Sequence, residues 1–326
     1  MTKKILFNNR GIALLITILM IGVIVVLTLQ FNSSMRLELH GAVNSRDNIM
    51  LGYIAKSGYN LALALLREDD AAVDSLNDDW ALLKTGSSLS ASMFDTGLFQ
   101  VDVTDLSGKI QINSLVKQDG TYNDDQRKLL LRLLTSTPFE MEESEAEDIL
   151  DNIKDWIDPD DEPTRFGAEN SYYQTLDNPY PCANSKLRSI SEMAYIKGIT
   201  KKMLFGTADA PGLSDYLTVY GDGSGKININ TADRKILILL SDQLDEEMVD
   251  EIIRYREDED NDLSSIQWYK DAVGTNNDII KPSLLTINSS YFQIISKGMR
   301  DTAVKELKVA VKRANSSFST LSWEII

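Results

Sequence analysis

The sequence has almost no cysteine or histidine. A single cysteine, Cys182, excludes an intramolecular disulfide. A single histidine, His40, excludes a metal cluster built on imidazoles and argues against a Ser-His-Asp triad. Proline is missing until Pro138, so no proline interrupts a helix before that point. Basic residues are outnumbered, 33 against 49 acidic, for a net charge of −16. An acidic surface repels phosphate backbones, so no nucleic-acid partner is expected; metal cations or a basic protein suit it better. What is present reads as globular: 326 residues, 43% hydrophobic and 8% aromatic, enough for one large or two modest domains.

The first ten residues hold Lys3, Lys4 and Arg10 and no acid. Charge then disappears from Gly11 to Leu29 and returns only at Arg36. At 1.5 Å per residue that run spans roughly 28 Å, the hydrocarbon thickness of a bilayer. The basic flank predicts a cytoplasmic N-terminus with the bulk of the chain across the membrane. A secretory signal peptide has a shorter apolar core and a small-x-small cleavage site after it, and Leu27-Thr28-Leu29-Gln30-Phe31 offers none. A plain signal anchor fits the physics. So does a leader cut before the apolar run, between Gly11 and Ile12, because Arg10-Gly11 leads directly into Ile12-Ala13-Leu14-Leu15. The sequence after the run favours the cut leader. An apolar stripe at Ala55, Tyr59, Ala62, Leu63 and Leu66 keeps a near-helical period, so one helix is expected to run from the membrane to about Leu66.

This segment resembles the type IV pilin superfamily, and within it the pseudopilins. Those subunits usually carry Glu at the fifth position after the cut; here that position is Ile16. In the family that Glu is thought to neutralise the new amine of a neighbouring subunit inside an apolar bundle, where an unpaired charge is costly. Its absence suits a subunit at the end of an assembly. Ile12 stands where many pilins have Phe or Met, which bears on N-methylation more than on cleavage.

Strand-like runs lie at both ends of the remaining chain. Residues 97–105 and 109–113, joined by Leu106-Ser107-Gly108, read as a hairpin. Residues 290–296, 304–311 and 318–326 read as three further strands, with Leu307, Val309 and Val311 alternating as in a half-buried antiparallel sheet. The stretch between is helix-rich and repeats itself. Gly108-Lys109-Ile110-Gln111-Ile112-Asn113 returns as Gly225-Lys226-Ile227-Asn228-Ile229-Asn230. Arg127-Lys128-Leu129 returns as Arg234-Lys235-Ile236, the stretch from Asp148 to Trp156 parallels Met248 to Arg256, and Leu187-Arg188-Ser189-Ile190 parallels Leu263-Ser264-Ser265-Ile266. Four blocks in one order indicate two related modules. They look like helix-hairpin-helix units, but the equivalent of the DNA-binding hairpin, Leu240 to Asp245, has no glycine and two acids, so a structural role is the better reading.

The expected fold is α+β: a long N-terminal helix packed on an antiparallel sheet, with a large inserted helical domain. The divisions are a leader at 1–11, a transmembrane and spine helix at 12–70, a first part of the β-core at 71–116, the helical insert at 117–282 and a second part of the β-core at 283–326. A pilin-like leader without the Glu, a split sheet, and the runs Asp155-Trp156-Ile157-Asp158-Pro159-Asp160-Asp161 and Gly167-Ala168-Glu169-Asn170-Ser171-Tyr172-Tyr173 together resemble the minor pseudopilin K family of bacterial type II secretion. The resemblance covers nearly the whole chain. It implies cleavage by a prepilin peptidase, an inner-membrane anchor at residues 12–30 with a periplasmic ectodomain, and a place at the pseudopilus tip with the minor pseudopilins I and J. Minor pilins of a type IV pilus or DNA-uptake system, and an uncleaved anchored scaffold, are the alternatives.

The run from Asp158 to Pro163 packs carboxylates into a loop that two prolines hold out of helix. With Glu169 beyond it, the spacing suits calcium, which takes six to eight oxygens, or else a solvated acidic loop. Members of the resembled family bind calcium in this domain, which implies Asp158, Asp160, Asp161 and Glu169 as ligands. A second acidic run, Glu257 to Asp262, has no later carboxylate nearby and reads as a solvated loop. Gly221 to Lys226 imitates a phosphate loop, but Ile227 follows where Ser or Thr belongs, and Asp222 repels phosphate. No nucleophile stands beside a base, so no enzymatic activity is expected.

Overall fold

Fifty-nine residues without a proline form the first helix, α1 (Arg10–Glu68), about 88 Å long at the helical rise. The computed structural model describes residues 10–86, 90, 92–314 and 317–326. In the N-terminal half of α1 the apolar side chains, Ile12 through Phe31, are exposed among the described residues. Its other half is amphipathic. Leu51, Ile54, Ala55, Tyr59, Ala62 and Leu66, which fall on one face at the helical period, are buried against a sheet. A short α2 (Asp79–Gly86) adds Trp80 to the same core.

The sheet has four antiparallel strands in the order β1-β6-β7-β8: β1 (Leu98–Asp105), β6 (Tyr291–Arg300), β7 (Ala303–Ala314) and β8 (Ser317–Ile325). Phe99, Val101 and Val103 on β1 and Phe292 and Ile294 on β6 point at α1. Helix and sheet approach closely because two glycines allow it. A Cβ on Gly58 would lie 2.4 Å from Ser296 Oγ, and one on Gly298 would lie 2.3 Å from the Leu51 carbonyl. A mid-helix glycine costs about 1 kcal/mol against alanine, so this close packing must offset that.

The hairpin expected at 97–113 does not form. β1 pairs with β6, Val101 opposite Ser296, and the residues after it turn away. Asp105 accepts a hydrogen bond from Ser107 N–H at 2.7 Å, which closes a single 3-10 turn at Leu106–Gly108. The chain then leaves the sheet. Ile110, Ile112, Leu115 and Val116, which the expected boundary at 116 grouped with the β-core, pack instead in a second core made of the helical body.

That body consists of β2 (Ile110–Gln111), α3 (Asp124–Thr135), α4 (Glu143–Ile157), α5 (Asn170–Tyr173), α6 (Lys201–Phe205), α7 (Leu213–Tyr216), β3 (Leu217–Thr218), β4 (Ile227–Asn228), α8 (Arg234–Leu239), α9 (Glu246–Glu257), α10 (Tyr269–Val273) and β5 (Leu285–Thr286). The repeat has a physical form. Each module opens and closes on a two-residue parallel pair, Ile110 beside Leu217 in the first and Ile227 beside Leu285 in the second. In each, the final Asn of the Gly-Lys-Ile block holds the later Leu block. Asn113 Nδ2 donates to Leu187 O at 3.0 Å, and Asn230 Nδ2 donates to Leu263 O at 3.4 Å. In each, the Arg opening the first helix pairs with the second helix: Arg127 with Glu147 at 2.8 Å, Arg234 with Glu246 at 2.7 Å.

The two bodies meet at a buried polar seam. Arg313 on β7 donates to both oxygens of Asp74 at 2.6 Å and to Asp69 at 3.1 Å. Beside it Asp105, at the end of β1, accepts from Asn228 Nδ2 at 3.1 Å and from the hydroxyls of Thr231 and Ser289 at 2.5 Å. Burial raises both Asp74 and Asp105, and Arg313 opposes that at Asp74.

Candidate metal centre and processing segment

Helix α4 buries Ile149, Leu150, Ile153 and Trp156 in the helical core. Its spacing then puts Asp151, Asp155 and Asp158 on one neighbouring face, four and three residues apart. Asp158 ends the helix, and Pro159 and Pro163 force the chain into an extended loop. The loop folds back over Asp155, whose two oxygens each accept from Thr164 N–H at 3.0 Å. It closes tightly enough to demand glycine: a Cβ on Gly167 would sit 1.9 Å from Asp155 Oδ2. Two residues later Glu169 enters the same space from the start of α5.

Asp155, Asp158 and Glu169 are all buried, and each offers a carboxylate oxygen within 4.8 Å of the others. Both oxygens of Glu169, which is 1% exposed, and Oδ1 of Asp158 are buried without a hydrogen-bond partner. Buried carboxylates left so are costly. Burial, and then the charges of Asp155 and Asp158, push Glu169 up to about 8. Burial also raises Asp155 and Asp158. One cation reaches in: Lys154 Nζ donates to Asp158 Oδ2 and to Thr164 Oγ1, the latter at 2.8 Å.

With all three ionised, as a bound cation requires, the donor set is three carboxylates against one ammonium, two negative charges in surplus, and the orphaned atoms are all hard oxygens. That chemistry fits a divalent ion of the calcium type. Cys182 is adjacent. Its thiol faces the Asp155 carbonyl at 3.6 Å, and burial pushes it up to about 12.

Of the four residues named from sequence, Asp158 and Glu169 lie in the cluster. Asp160 and Asp161 are exposed at its rim. Asp160 Oδ1 accepts from Glu162 N–H at 2.9 Å, and Asp161 Oδ1 accepts from Asn184 Nδ2 at 3.0 Å. Asp155 was missed. Its signal was helical: it lies three residues before Asp158 on the face that Asp151 also occupies. The second acidic run bonds to its own backbone, Asp258 to Asp260 N–H at 3.1 Å and Asp262 to Ser264 N–H at 2.9 Å. A further carboxylate group, Asp69, Asp74 and Asp78, already holds Arg313.

The processing segment lies at the other end of the molecule. Gly11 and Ile12 sit in the first turn of α1, both exposed; residues 1–9 of the expected leader lie outside the described residues. Ile16 is exposed, one turn beyond Ile12. The helix from Gly11 contains an 18-residue window of mean hydropathy 3.1, none of it buried, which is long and apolar enough to cross a membrane.

Comparison with known proteins places the chain. A family model described as type II secretion system (T2SS), protein K, matches residues 108–206, the span that holds the carboxylate cluster. Type II secretion system protein K of Aeromonas hydrophila is 28% identical over 69% of this chain and 67% of its own length. The Pseudomonas aeruginosa protein of the same name is 26% identical over 71% and 67%. Among solved structures, a chain of the GspK-GspI-GspJ complex from enterotoxigenic Escherichia coli superposes with TM-score 0.62 at 20% identity, covering 87% of this chain and 98% of that one. With the long helix, the split antiparallel sheet and the helical insert that carries the matched span, the chain is similar in sequence and in fold to type II secretion system protein K.

Proposed function

We propose that the chain is a structural subunit at the tip of the type II secretion pseudopilus, supporting export of proteins across the outer membrane. The observation that carries this is the size and place of the helical body. It is inserted between β1 and β6, neighbouring strands of the sheet that packs on the spine helix. A head of this bulk repeated along a thin fibre would clash with its neighbour, whereas a single copy at the end does not. Ile16 supports the same place, because it offers no carboxylate to a following subunit's amine. GspI and GspJ share a complex with GspK in the solved relative, so the minor pseudopilins I and J are the proposed partners here. The role is non-enzymatic.

Residues 12–30 anchor the chain in the inner membrane, with Lys3, Lys4 and Arg10 on the cytoplasmic side and the ectodomain in the periplasm. A prepilin peptidase cuts between Gly11 and Ile12. Asp155, Asp158 and Glu169 hold calcium, with Asp160 and Asp161 at the rim; the ion supplies charge compensation and ties α4 to α5. A type IV pilus or DNA-uptake role is disfavoured by the net charge of −16.

One strain comparison tests this reading. In cells with the peptidase, mass spectrometry is expected to show a mature chain starting at Ile12, with exported proteins released to the medium. With Gly11→Asp the chain keeps its leader and those proteins stay in the periplasm. A wild-type chain starting at Met1 points to an uncleaved anchor and overturns the reading.

A further inference from the structure

The lysine at the metal centre is placed unlike an ordinary surface ion pair. Lys154 is only 12% exposed at its side chain and its partner Asp158 is fully buried. Its ammonium takes Asp158 Oδ2, leaving Oδ1 of the same carboxylate buried without a partner, in a residue whose carboxylate clusters with those of Glu169 and Asp155. The ammonium therefore stands where a cation ligated by Asp158 would repel it. A second carboxylate lies three residues back on the same helix. Asp151, one turn back on α4, has Oδ1 bonded to Tyr122 OH at 2.6 Å and Oδ2 buried without a partner. The Tyr122 ring already faces the Lys154 ammonium at 5.9 Å, so the path between the two carboxylates runs across a π-face that favours a cation.

We propose that Lys154 is a tethered counter-ion of the metal centre: it holds Asp158 when no metal is bound and shifts to Asp151 when a divalent cation enters. The inference rests on the calcium reading above. Without an internal cation, three buried carboxylates within 4.8 Å would repel one another and loosen the Asp155–Glu169 loop. With one, the metal-free fold is held together, but each incoming ion must displace it. Lys154 thus exchanges calcium affinity for stability of the empty site.

The test uses the full-length chain in detergent micelles, with calorimetric titration of calcium chloride and thermal melts in chelator and in saturating calcium. Lys154→Met is expected to tighten calcium binding by about tenfold, the effect of removing one like charge at this range, and to lower Tm in chelator. Its Tm in saturating calcium should match wild type. Lys154→Arg, which keeps the charge, should bind close to wild type, and Lys154→Gln serves if the Met variant does not fold. Asp151→Asn should weaken calcium binding more beside Lys154 than beside Lys154→Met. Calcium affinity unchanged or weakened in both neutral variants overturns the proposal. A wild-type chain that shows neither heat nor a Tm shift with calcium overturns the metal reading itself, a result distinguishable from the first.

Discussion

Glu169 is the residue on which the proposed metal centre turns. It is buried, both oxygens lack partners, and burial plus neighbouring carboxylates raise it from 4.5 to about 8. The sign follows from linkage. A carboxyl raised in the folded state binds its proton more tightly folded than unfolded, so its contribution is fullest below about 4.5 and is lost as pH climbs toward 8. In chelator, melts should therefore show Tm falling between pH 5 and pH 8, with Asp155, Asp158, Asp160 and Asp161 adding repulsion and Lys154 opposing it. Calcium should flatten that slope. Glu169→Gln should raise Tm in chelator at pH 8 and remove the calcium-induced shift; a variant that still gains stability from calcium would show that the ion sits elsewhere. Two of the three clustered carboxylates stood out in the sequence. Asp158 and Glu169 stand out because prolines and loop residues flank them. Asp155 was hidden inside a helix, where its role depends on a face and not on a motif. Asp160 and Asp161 stand exposed at the rim, because the loop that carries them turns their carboxylates to Glu162 N–H and Asn184.

Among elements, the three C-terminal strands and the spine helix were readable because period governs both. Alternation at Leu307, Val309 and Val311 marks one sheet face, and the stripe at Ala55, Tyr59, Ala62 and Leu66 marks one helix face. The partner of β1 was not readable. A strand's pattern shows which side is buried but not which strand lies beside it, and Leu106-Ser107-Gly108 has the composition of a hairpin turn while forming an exit. The repeat was readable as sequence, and its cause emerges only in the fold: the terminal Asn of each Gly-Lys-Ile block is a clamp, half-buried at Asn113 and buried at Asn230. Asn230 accepts from Trp268 Nε1 at 2.7 Å and donates to Leu263 O. Asn230→Ala would strand a buried indole N–H, at a cost of about 2 kcal/mol. Urea unfolding followed by tryptophan fluorescence measures it; a loss under about 0.5 kcal/mol would mean the clamp is incidental.

The whole molecule joins a pilin-like body to a helical body through few but fully engaged polar groups. Asp105 takes the Thr231 hydroxyl and the Asn228 amide of the helical body, and Arg313 steadies that seam from the pilin-like side through two carboxylates and the Ser289 carbonyl. Such directional contacts fix an orientation in a way that apolar packing does not. A fixed head larger than its stalk belongs at an end. Native mass spectrometry of complexes extracted from cells that also express the minor pseudopilins I and J and the peptidase tests this directly. The expected result is one copy of this chain, starting at Ile12, in each assembly with I and J. Assemblies carrying several copies of this chain along a fibre, or complexes that never contain I and J, would contradict a tip subunit.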